Sequence, residues 1–150
     1  MKRIASFDVD HDLISKGLYI SRIDGDITTY DMRTREPNKG DYMSNIAMHS
    51  VEHMFATYIR NSSIGENIIY FGPMGCRTGF YLLVRDLAPS VVAKAVKDTL
   101  IKIINHDGEM FGASRKECGN YLELDLDAAK AEAKAYLAVL EGKEITFKYC

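Results

Sequence analysis

The chain carries almost no net charge and contains no run of basic residues. Its 19 Lys and Arg residues are offset by 21 Asp and Glu residues, which leaves a net charge of −2 at pH 7. Proteins that bind nucleic acids or anionic membranes usually concentrate Lys and Arg on one surface. The composition therefore predicts neither of these partners.

Long apolar runs are also absent. No stretch reaches the roughly 18 apolar residues that suggest a membrane-spanning helix. The first residues are basic, but no apolar run of signal-peptide length follows them. We therefore expect a cytoplasmic protein. The length of 150 residues, 47% of them hydrophobic, predicts one domain over residues 1–150 with a single core.

Cysteine is scarce, and its count is odd. The three cysteines are Cys76, Cys118 and Cys150. An odd number in a chain without a signal peptide argues against a disulfide framework. Reduced thiols leave two uses of interest, metal ligation and nucleophilic or acid/base chemistry. We predict no role for Cys150.

The strand signals form two pairs. Residues 17–33 are predicted to form a β-hairpin with a type I′ turn at Asp24-Gly25. Residues 67–85 contain two β-prone runs around a turn rich in glycine and proline. Residues 108–125 are predicted to be a mixed loop with room for one short strand.

Three helices are predicted between and after these strands. The first begins at a polar N-cap, Asp41 or Ser44, and ends near Asn61. The second follows Pro89, and the third covers about 127–141. Strands mixed with separate helices predict an α+β fold, an antiparallel β-sheet with helices packed on one face.

The first predicted helix contains the sequence HSVEH, with His49, Glu52 and His53. On a helical wheel of about 100° per residue, its core stripe consists of Ala47, Val51, Met54 and Tyr58. The two histidines lie roughly opposite that stripe, and Glu52 flanks them. Histidines at i and i+4 can reach one metal ion, with the glutamate as a neighbouring base. The alternative is a solvated polar face.

Two of the cysteines occur in glycine-containing turns. Cys76 lies in GPMGCRTGFY, where glycines allow close approach of a ligand and leave the thiol accessible. Cys118 lies in ECGNY. The alternatives are a buried small residue at a strand end for Cys76 and an incidental loop residue for Cys118.

Five segments in this order resemble the S-ribosylhomocysteine lyase (LuxS) family. They are SFDVDH (6–11), YDMRTREPN (30–38), HSVEH (49–53), GPMGCRTGFY (72–81) and ECGN (117–120). Each segment alone is weak, but together they cover almost the whole chain. The family cleaves S-ribosylhomocysteine to homocysteine and a dihydroxypentanedione, the precursor of autoinducer-2.

The resemblance implies a role for each matching residue. The implied metal ligands are His49, His53 and Cys118, with water as the fourth ligand. The implied acid/base residues are Glu52 and Cys76. The implied ribose-binding residues are Ser6, His11 and Arg33. The family is a homodimer with sites at the interface, and its N-terminal segment reaches into the partner's site. Its native metal is Fe(II), replaceable by Zn or Co.

The chain departs from the family pattern before Pro73. Many members carry Asp-Ile-Ser where this chain has Tyr70-Phe71-Gly72. The family's aspartate lies near the amino-acid end of the substrate. Tyr70 cannot supply that carboxylate, so the resemblance does not extend to the family's contact with the homocysteine ammonium.

Two other functions fit parts of the pattern. HxxEH is also the motif of inverted-zincin peptidases, which generally use a downstream carboxylate as third ligand and need no reactive thiol. A non-catalytic metal-binding module would instead have four protein ligands. His106 is the candidate for the fourth, although its position also suits the C-terminal end of a helix.

Overall fold

The computed structural model describes residues 1–149, so Cys150 lies outside the described residues. The strands are β1 (Gly17–Asp24), β2 (Ile27–Arg33), β3 (Ile68–Pro73) and β4 (Gly79–Arg85). The helices are α1 (Ala5–Asp8), α2 (Asn45–Arg60), α3 (Pro89–Ile104) and α4 (Leu126–Glu141). The two predicted strand pairs and the three predicted helices are confirmed. Within residues 1–149, no helix combines the length and apolar character needed to cross a membrane.

The four strands form one antiparallel sheet in the order β1-β2-β4-β3. The turn between β1 and β2 differs from the prediction. Asp24 pairs with Ile27, so the two turn residues are Gly25 and Asp26. Gly25 has φ +62°, whereas Asp26 is not among the residues with positive φ. A type I′ turn needs positive φ at both positions, so this turn is of the II′ kind, with glycine first.

One face of the sheet joins the three long helices in a common core. Alternate residues of β2 and β4 point to the same side, and those on the helix side are fully buried. They are Tyr30, Met32, Phe80, Leu82 and Val84. The short helix α1, which the sequence did not predict, contributes Ala5 and Ser6 to a cavity on the opposite face. The fold is therefore α+β, with its long helices on one face.

Helix α2 begins directly after Ser44, one of its two predicted N-cap residues. The Ser44 hydroxyl accepts a hydrogen bond from the Ala47 amide at 3.1 Å, which satisfies one free N–H of the first turn. Of the predicted stripe, Ala47, Val51 and Met54 are buried, whereas Tyr58 is only half-buried. The buried surface of α2 also includes residues outside that stripe, namely Met48, Phe55 and Ile59. This wide buried surface holds α2 rigidly between the sheet and the other helices.

The long segment between α3 and α4 contains turns and bends, and no strand occurs within 108–125. It is nevertheless fixed to α2. The amide of Asp125 donates to the Ser50 hydroxyl at 2.8 Å, just where Asp125 caps α4. Because Ser50 is fully buried on α2, this bond sets the end of the loop against the histidine-bearing helix.

Both edges of the sheet carry an obstruction. At the β1 edge, the Ile20 amide donates to the Phe147 carbonyl at 2.9 Å. At the β3 edge, the Arg60 guanidinium at the end of α2 donates to the carbonyls of Ile68 and Ile69 at 3.5 and 3.3 Å. Neither edge presents an uninterrupted row of free backbone groups.

Candidate metal centre

The structure brings His49, His53 and Cys118 together. One ligand atom from each residue lies within 4.8 Å of the others. His49 Nε2 is 3.3 Å from Cys118 Sγ. Bonds of about 2.0–2.3 Å to one tetrahedral ion would separate two ligands by roughly 3.3–3.8 Å. His49 and His53 are half-buried, and each ring contacts a carbonyl of the 108–125 loop, so this face of α2 is partly covered rather than fully solvated.

Each histidine ring is oriented by a backbone carbonyl of the loop. His49 Nδ1 is 3.0 Å from the Glu123 carbonyl, and His53 Nδ1 is 2.9 Å from the Phe111 carbonyl. A carbonyl only accepts, so each Nδ1 carries the proton and donates it. The lone pair of each ring is therefore on Nε2, the atom that is free for a metal.

The third residue of the cluster comes from the same loop. The amide of Asn120 donates to Cys118 Sγ at 3.4 Å, an arrangement that favours a negatively charged sulfur. Gly112 adopts φ +65°, and a Cβ there would lie 2.9 Å from His53 Nδ1. A glycine is therefore required for the loop to pass this close to the histidine.

The cluster has three members among residues 1–149, which leaves a coordination position for an exchangeable ligand. His106 is not one of them. Its Nδ1 is 2.6 Å from the Tyr58 hydroxyl and its Nε2 is 2.7 Å from the Glu109 carbonyl, so both ring nitrogens have other partners. Two neutral imidazoles and one thiolate fit a divalent transition metal, and three protein ligands are the pattern of catalytic sites.

Glu52 is half-buried on the same helix, between the two histidines in sequence. It does not belong to the ligand cluster. Its carboxylate is therefore not needed as one of the three clustered ligands.

Cys76 is an exposed free thiol in the turn between β3 and β4. Its Sγ is 3.0 Å from the Thr78 hydroxyl, and that hydroxyl accepts a hydrogen bond from Arg33 at 2.8 Å. Because Arg33 already donates to this oxygen, the hydroxyl proton of Thr78 is free to be donated to the sulfur. Arg77 in the same turn has φ 63°, a left-handed conformation that is uncommon outside glycine.

Arg33 is only 2% exposed, and its charge is balanced by Asp31. Its guanidinium donates to both carboxylate oxygens of Asp31, at 3.0 and 2.6 Å. Burial alone would lower the pKa of Arg33, but the hydrogen bond and charge of Asp31 outweigh it and raise the pKa. The guanidinium is therefore a permanent cation beneath the Cys76 turn.

Two further tyrosines surround the Asp31 carboxylate. Tyr149 donates to it at 2.9 Å, and burial together with the Asp31 charge raises the pKa of Tyr149. Burial, and then the same charge, raises the pKa of Tyr81. This part of the sheet is thus a fixed arrangement of one ion pair and neutral phenols.

The N-terminal residues lie apart from the metal cluster in this chain. Ser6 lines a cavity of about 410 Å³ on the sheet face opposite the long helices, together with Thr29, Tyr70 and Tyr81. No member of the metal cluster lines that cavity. The His11 ring is 2.8 Å from the Val9 carbonyl, a local contact within its own segment.

Tyr70 covers Gly72, the neighbour two residues along the strand. A Cβ at Gly72 would overlap the Tyr70 hydroxyl. The departures from the family pattern at positions 70 and 72 are therefore sterically coupled, since the phenol occupies the space that a side chain at 72 would need.

Several supporting groups were not predicted. They are the carbonyls of Phe111 and Glu123, the ion-pair partner Asp31 and the bridging hydroxyl of Thr78. Backbone carbonyls leave no trace in residue identity. Gly112 was the one available signal, because a glycine in a loop can mark a close approach.

The α+β fold and this site define a class of protein, a small domain with a two-histidine, one-cysteine centre suited to a single transition metal. The sequence model described as S-ribosylhomocysteinase (LuxS) matches residues 4–146. The chain belongs to the S-ribosylhomocysteinase (LuxS) family, which confirms the resemblance found in the sequence.

Curated relatives agree over nearly the whole length. The S-ribosylhomocysteine lyase of Borreliella burgdorferi (strain ZS7) is 44% identical over 99% of both chains. That of Phocaeicola vulgatus is 43% identical over 91% of this chain and 89% of its own. That of Finegoldia magna is 42% identical over 95% of this chain and 94% of its own.

Proposed function

We propose that this chain is a metal-dependent carbon–sulfur lyase that cleaves the thioether of S-ribosylhomocysteine. The products would be homocysteine and 4,5-dihydroxypentane-2,3-dione, the autoinducer-2 precursor. One observation carries the proposal: a chain of this family brings ligand atoms of two histidines and one cysteine within 4.8 Å of one another. The relatives named above bear the name of this activity.

His49, His53 and Cys118 are the proposed ligands of one Fe(II) ion per subunit, with Zn or Co as substitutes. The family suggests iron, whereas ligand softness alone favours zinc. When bound, the ion supplies an electrophile that polarises substrate oxygens at its open position. An inverted-zincin peptidase fits less well, because the third member of the cluster is a thiol rather than a carboxylate.

The substrate explains why two proton carriers are needed. The C–S bond of a thioether breaks with difficulty when no carbonyl group lies β to the sulfur. The carbonyl must first move from C1 to C2 and then to C3 of the ribose, with a proton taken from one carbon and returned to another each time. Removal of the C4 proton then breaks the C5–S bond as the C4–C5 double bond forms. The departing thiolate takes up a proton to become homocysteine, and the remaining enol tautomerises to the dione by taking up a proton at C5.

Glu52 and Cys76 are the proposed pair of proton carriers. Glu52 is half-buried on the metal-binding helix but outside the cluster, so its carboxylate is free to exchange protons. Cys76 is exposed and has the Thr78 hydroxyl and the Arg33 cation on one side. An exposed thiol beside a hydroxyl can meet a substrate and exchange a proton with it.

Ser6, His11 and Arg33 are the proposed ribose-handling residues. Ser6 and His11 belong to the N-terminal segment, which would reach into the active site of a partner subunit. Arg33 is buried, so its influence reaches the surface through Thr78. At the amino-acid end, the Tyr70 phenol replaces the family's carboxylate.

We further propose a homodimer of single-domain subunits with shared active sites. Ile4, Phe7 and Leu13 of the N-terminal segment expose most of their surface, although apolar side chains favour burial. One core cluster extends from Leu18 to Leu140, in support of one domain over residues 1–150. Cytoplasmic location stays a prediction.

The test combines substrate choice with one variant. Protein loaded anaerobically with Fe(II) is incubated with S-ribosylhomocysteine or with peptides, and free thiol is followed with a chromogenic reagent. We expect thiol release and no peptide cleavage. Glu52→Gln should keep the metal and lose about 10²–10⁴-fold in rate, because Gln cannot carry a proton at neutral pH.

Two outcomes would contradict this proposal. Peptide cleavage without thiol release would assign the chain to the peptidases. Loss of metal from Glu52→Gln would make Glu52 a ligand or a structural support instead of a proton carrier.

A further inference from the structure

His106 is a buried histidine outside the metal cluster, and both of its ring nitrogens have hydrogen-bond partners. His106 is 9% exposed and lies just after α3. Its Nε2 faces the Glu109 carbonyl at 2.7 Å, so Nε2 carries the proton. In the neutral ring Nδ1 is then an acceptor, and the Tyr58 hydroxyl donates to it at 2.6 Å.

These bonds lead from α2 into the metal-binding loop. Tyr58 belongs to α2, five residues after the ligand His53. Its hydroxyl fixes His106, and His106 in turn holds the carbonyl of Glu109. The start of the loop is therefore tied to the same helix that carries the ligand.

Phe111 completes a closed ring of contacts. Its side chain packs edge-on against Tyr58 and His106, with centroid distances of 5.1 and 4.8 Å. Its carbonyl accepts the proton of His53 Nδ1. The path thus leaves α2 at Tyr58, reaches the loop at Glu109, and returns to α2 at His53 through the carbonyl of Phe111, two residues after Glu109.

Two further features restrain this closed set of contacts. Lys130 of α4 donates to the His106 carbonyl at 2.6 Å, which fixes the backbone at its base. Gly112 follows Phe111 at φ +65°, where a Cβ would press on the His53 ring. The position of the Phe111 carbonyl is therefore set by packing on both sides.

We propose that Tyr58 and His106 are positioning residues for the metal ligand His53. They hold the Phe111 carbonyl where it fixes the tautomer and the rotation of the His53 ring, although neither residue belongs to the ligand cluster. The inference rests on the proposed metal site. Groups that orient a metal-binding histidine typically change metal affinity by about 10–100-fold when they are removed.

The test uses Co(II) as a spectroscopic probe in the full-length protein. The rate at which a chelator removes Co(II) is followed by the thiolate-to-cobalt absorption band. We expect His106→Ala to release the ion about 10–100-fold faster than the wild type. Tyr58→Phe should accelerate Co(II) release less, because the aromatic side chain at position 58 still packs on Phe111. His106→Gln should lie between His106→Ala and the wild type, since its amide retains a donor for the Glu109 carbonyl.

Tyr136→Phe is the matched control. The Tyr136 hydroxyl donates to the Gly17 carbonyl at 2.7 Å, so this substitution also removes one buried tyrosine hydrogen bond. That bond does not involve Tyr58, His106, Phe111 or His53. Its release rate and cobalt bands should equal those of the wild type. Circular dichroism of the metal-free variants checks the fold. If His106→Ala does not fold, Tyr58→Phe and His106→Gln decide the question.

The outcomes separate this inference from the metal site itself. Release rates and bands equal to the wild type in the folded Tyr58 and His106 variants overturn it, as does an equal acceleration in Tyr136→Phe. A wild-type protein without a thiolate band, or a Cys118→Ala protein that keeps one, overturns the metal site and this inference with it.

Discussion

At the scale of single residues, Cys76 and Cys118 have the same side chain in different surroundings. Cys118 is half-buried, 3.3 Å from a histidine nitrogen, and receives a backbone N–H. Cys76 is exposed in a turn and has a hydroxyl backed by an arginine as its neighbour. The first setting suits a ligand, whereas the second suits a residue that meets a substrate.

Replacing each cysteine should therefore have a different effect. We expect Cys118→Ala to lose the metal, because two imidazoles remain as the only protein ligands. Cys76→Ala should keep the metal and lose about 10²–10⁴-fold in the lyase rate, as for a missing acid/base group. Metal content by atomic emission and thiol release under anaerobic conditions measure the two effects.

Each substitution serves as the control for the other. Stoichiometric metal in purified Cys118→Ala would remove Cys118 from the ligand set. A Cys76→Ala protein within about threefold of the wild-type rate would fall outside the range for an acid/base group and exclude Cys76 from the chemistry.

At the scale of elements, the sequence predicted what depends on periodicity and capping. The helical period placed His49 and His53 together on one face of α2, and Ser44 marked the start of that helix. The sequence did not predict which carbonyls orient the two histidine rings, because that depends on the backbone path of the loop 108–125. The turn after Asp24 was predicted with the wrong type because Gly25 serves as its first residue rather than its second.

An ion pair joins the loop after β2 to α4. Arg35 donates to both oxygens of Glu132, at 2.9 and 2.5 Å, and both side chains are largely buried. The hydrogen bond to Glu132 raises the pKa of Arg35, against a smaller lowering from burial. Loss of one partner would leave the other charge poorly solvated.

We expect Glu132→Gln to lower the free energy of unfolding by about 1–3 kcal/mol, less than a fully buried pair would cost. Asp98→Asn is the control, because the Lys94–Asp98 pair at i and i+4 is exposed and should contribute no more than about 0.5 kcal/mol. Urea unfolding of the metal-free proteins measures both. Equal effects from the two substitutions would show that burial adds nothing to the Arg35 pair.

At the scale of the whole molecule, buried phenols make stability depend on pH at the alkaline end. Burial raises the pKa of Tyr136 well above its ordinary value of 10.0, and burial with the Asp31 charge raises that of Tyr149. The folded state thus keeps these protons at pH values where the unfolded chain releases them. Their contribution is full below pH 10.0 and decreases as the pH rises above it.

The expected result is a free energy of unfolding that falls as pH increases above 10.0, with a shallower slope in Tyr136→Phe. Urea unfolding on both sides of that pH measures the slope. The difference between wild type and variant below pH 10.0 reports the lost hydrogen bond to Gly17 and serves as the internal control. A slope unchanged by Tyr136→Phe would contradict this assignment.

The proposed shared-site dimer leads to a prediction about mixed subunits. His11→Ala and Cys76→Ala are each expected to be inactive. In a hybrid dimer one site would carry both lesions and the other neither, so mixing the two proteins should restore some lyase activity. Native mass spectrometry confirms subunit exchange. Exchange without any return of activity would mean that each site is built from one chain.

The obstructed sheet edges restrict how two copies can meet. Exposed strand edges are templates on which further chains add, and natural proteins block them with charges and covering segments. Here the Phe147 carbonyl occupies part of the β1 edge, and the Arg60 guanidinium occupies part of the β3 edge. A continuous sheet across copies, and the fibrous aggregation that follows from it, is thereby disfavoured. For the proposed homodimer we therefore expect contact through the sheet face opposite the long helices, where Ile4, Ala5 and Ser6 line a cavity.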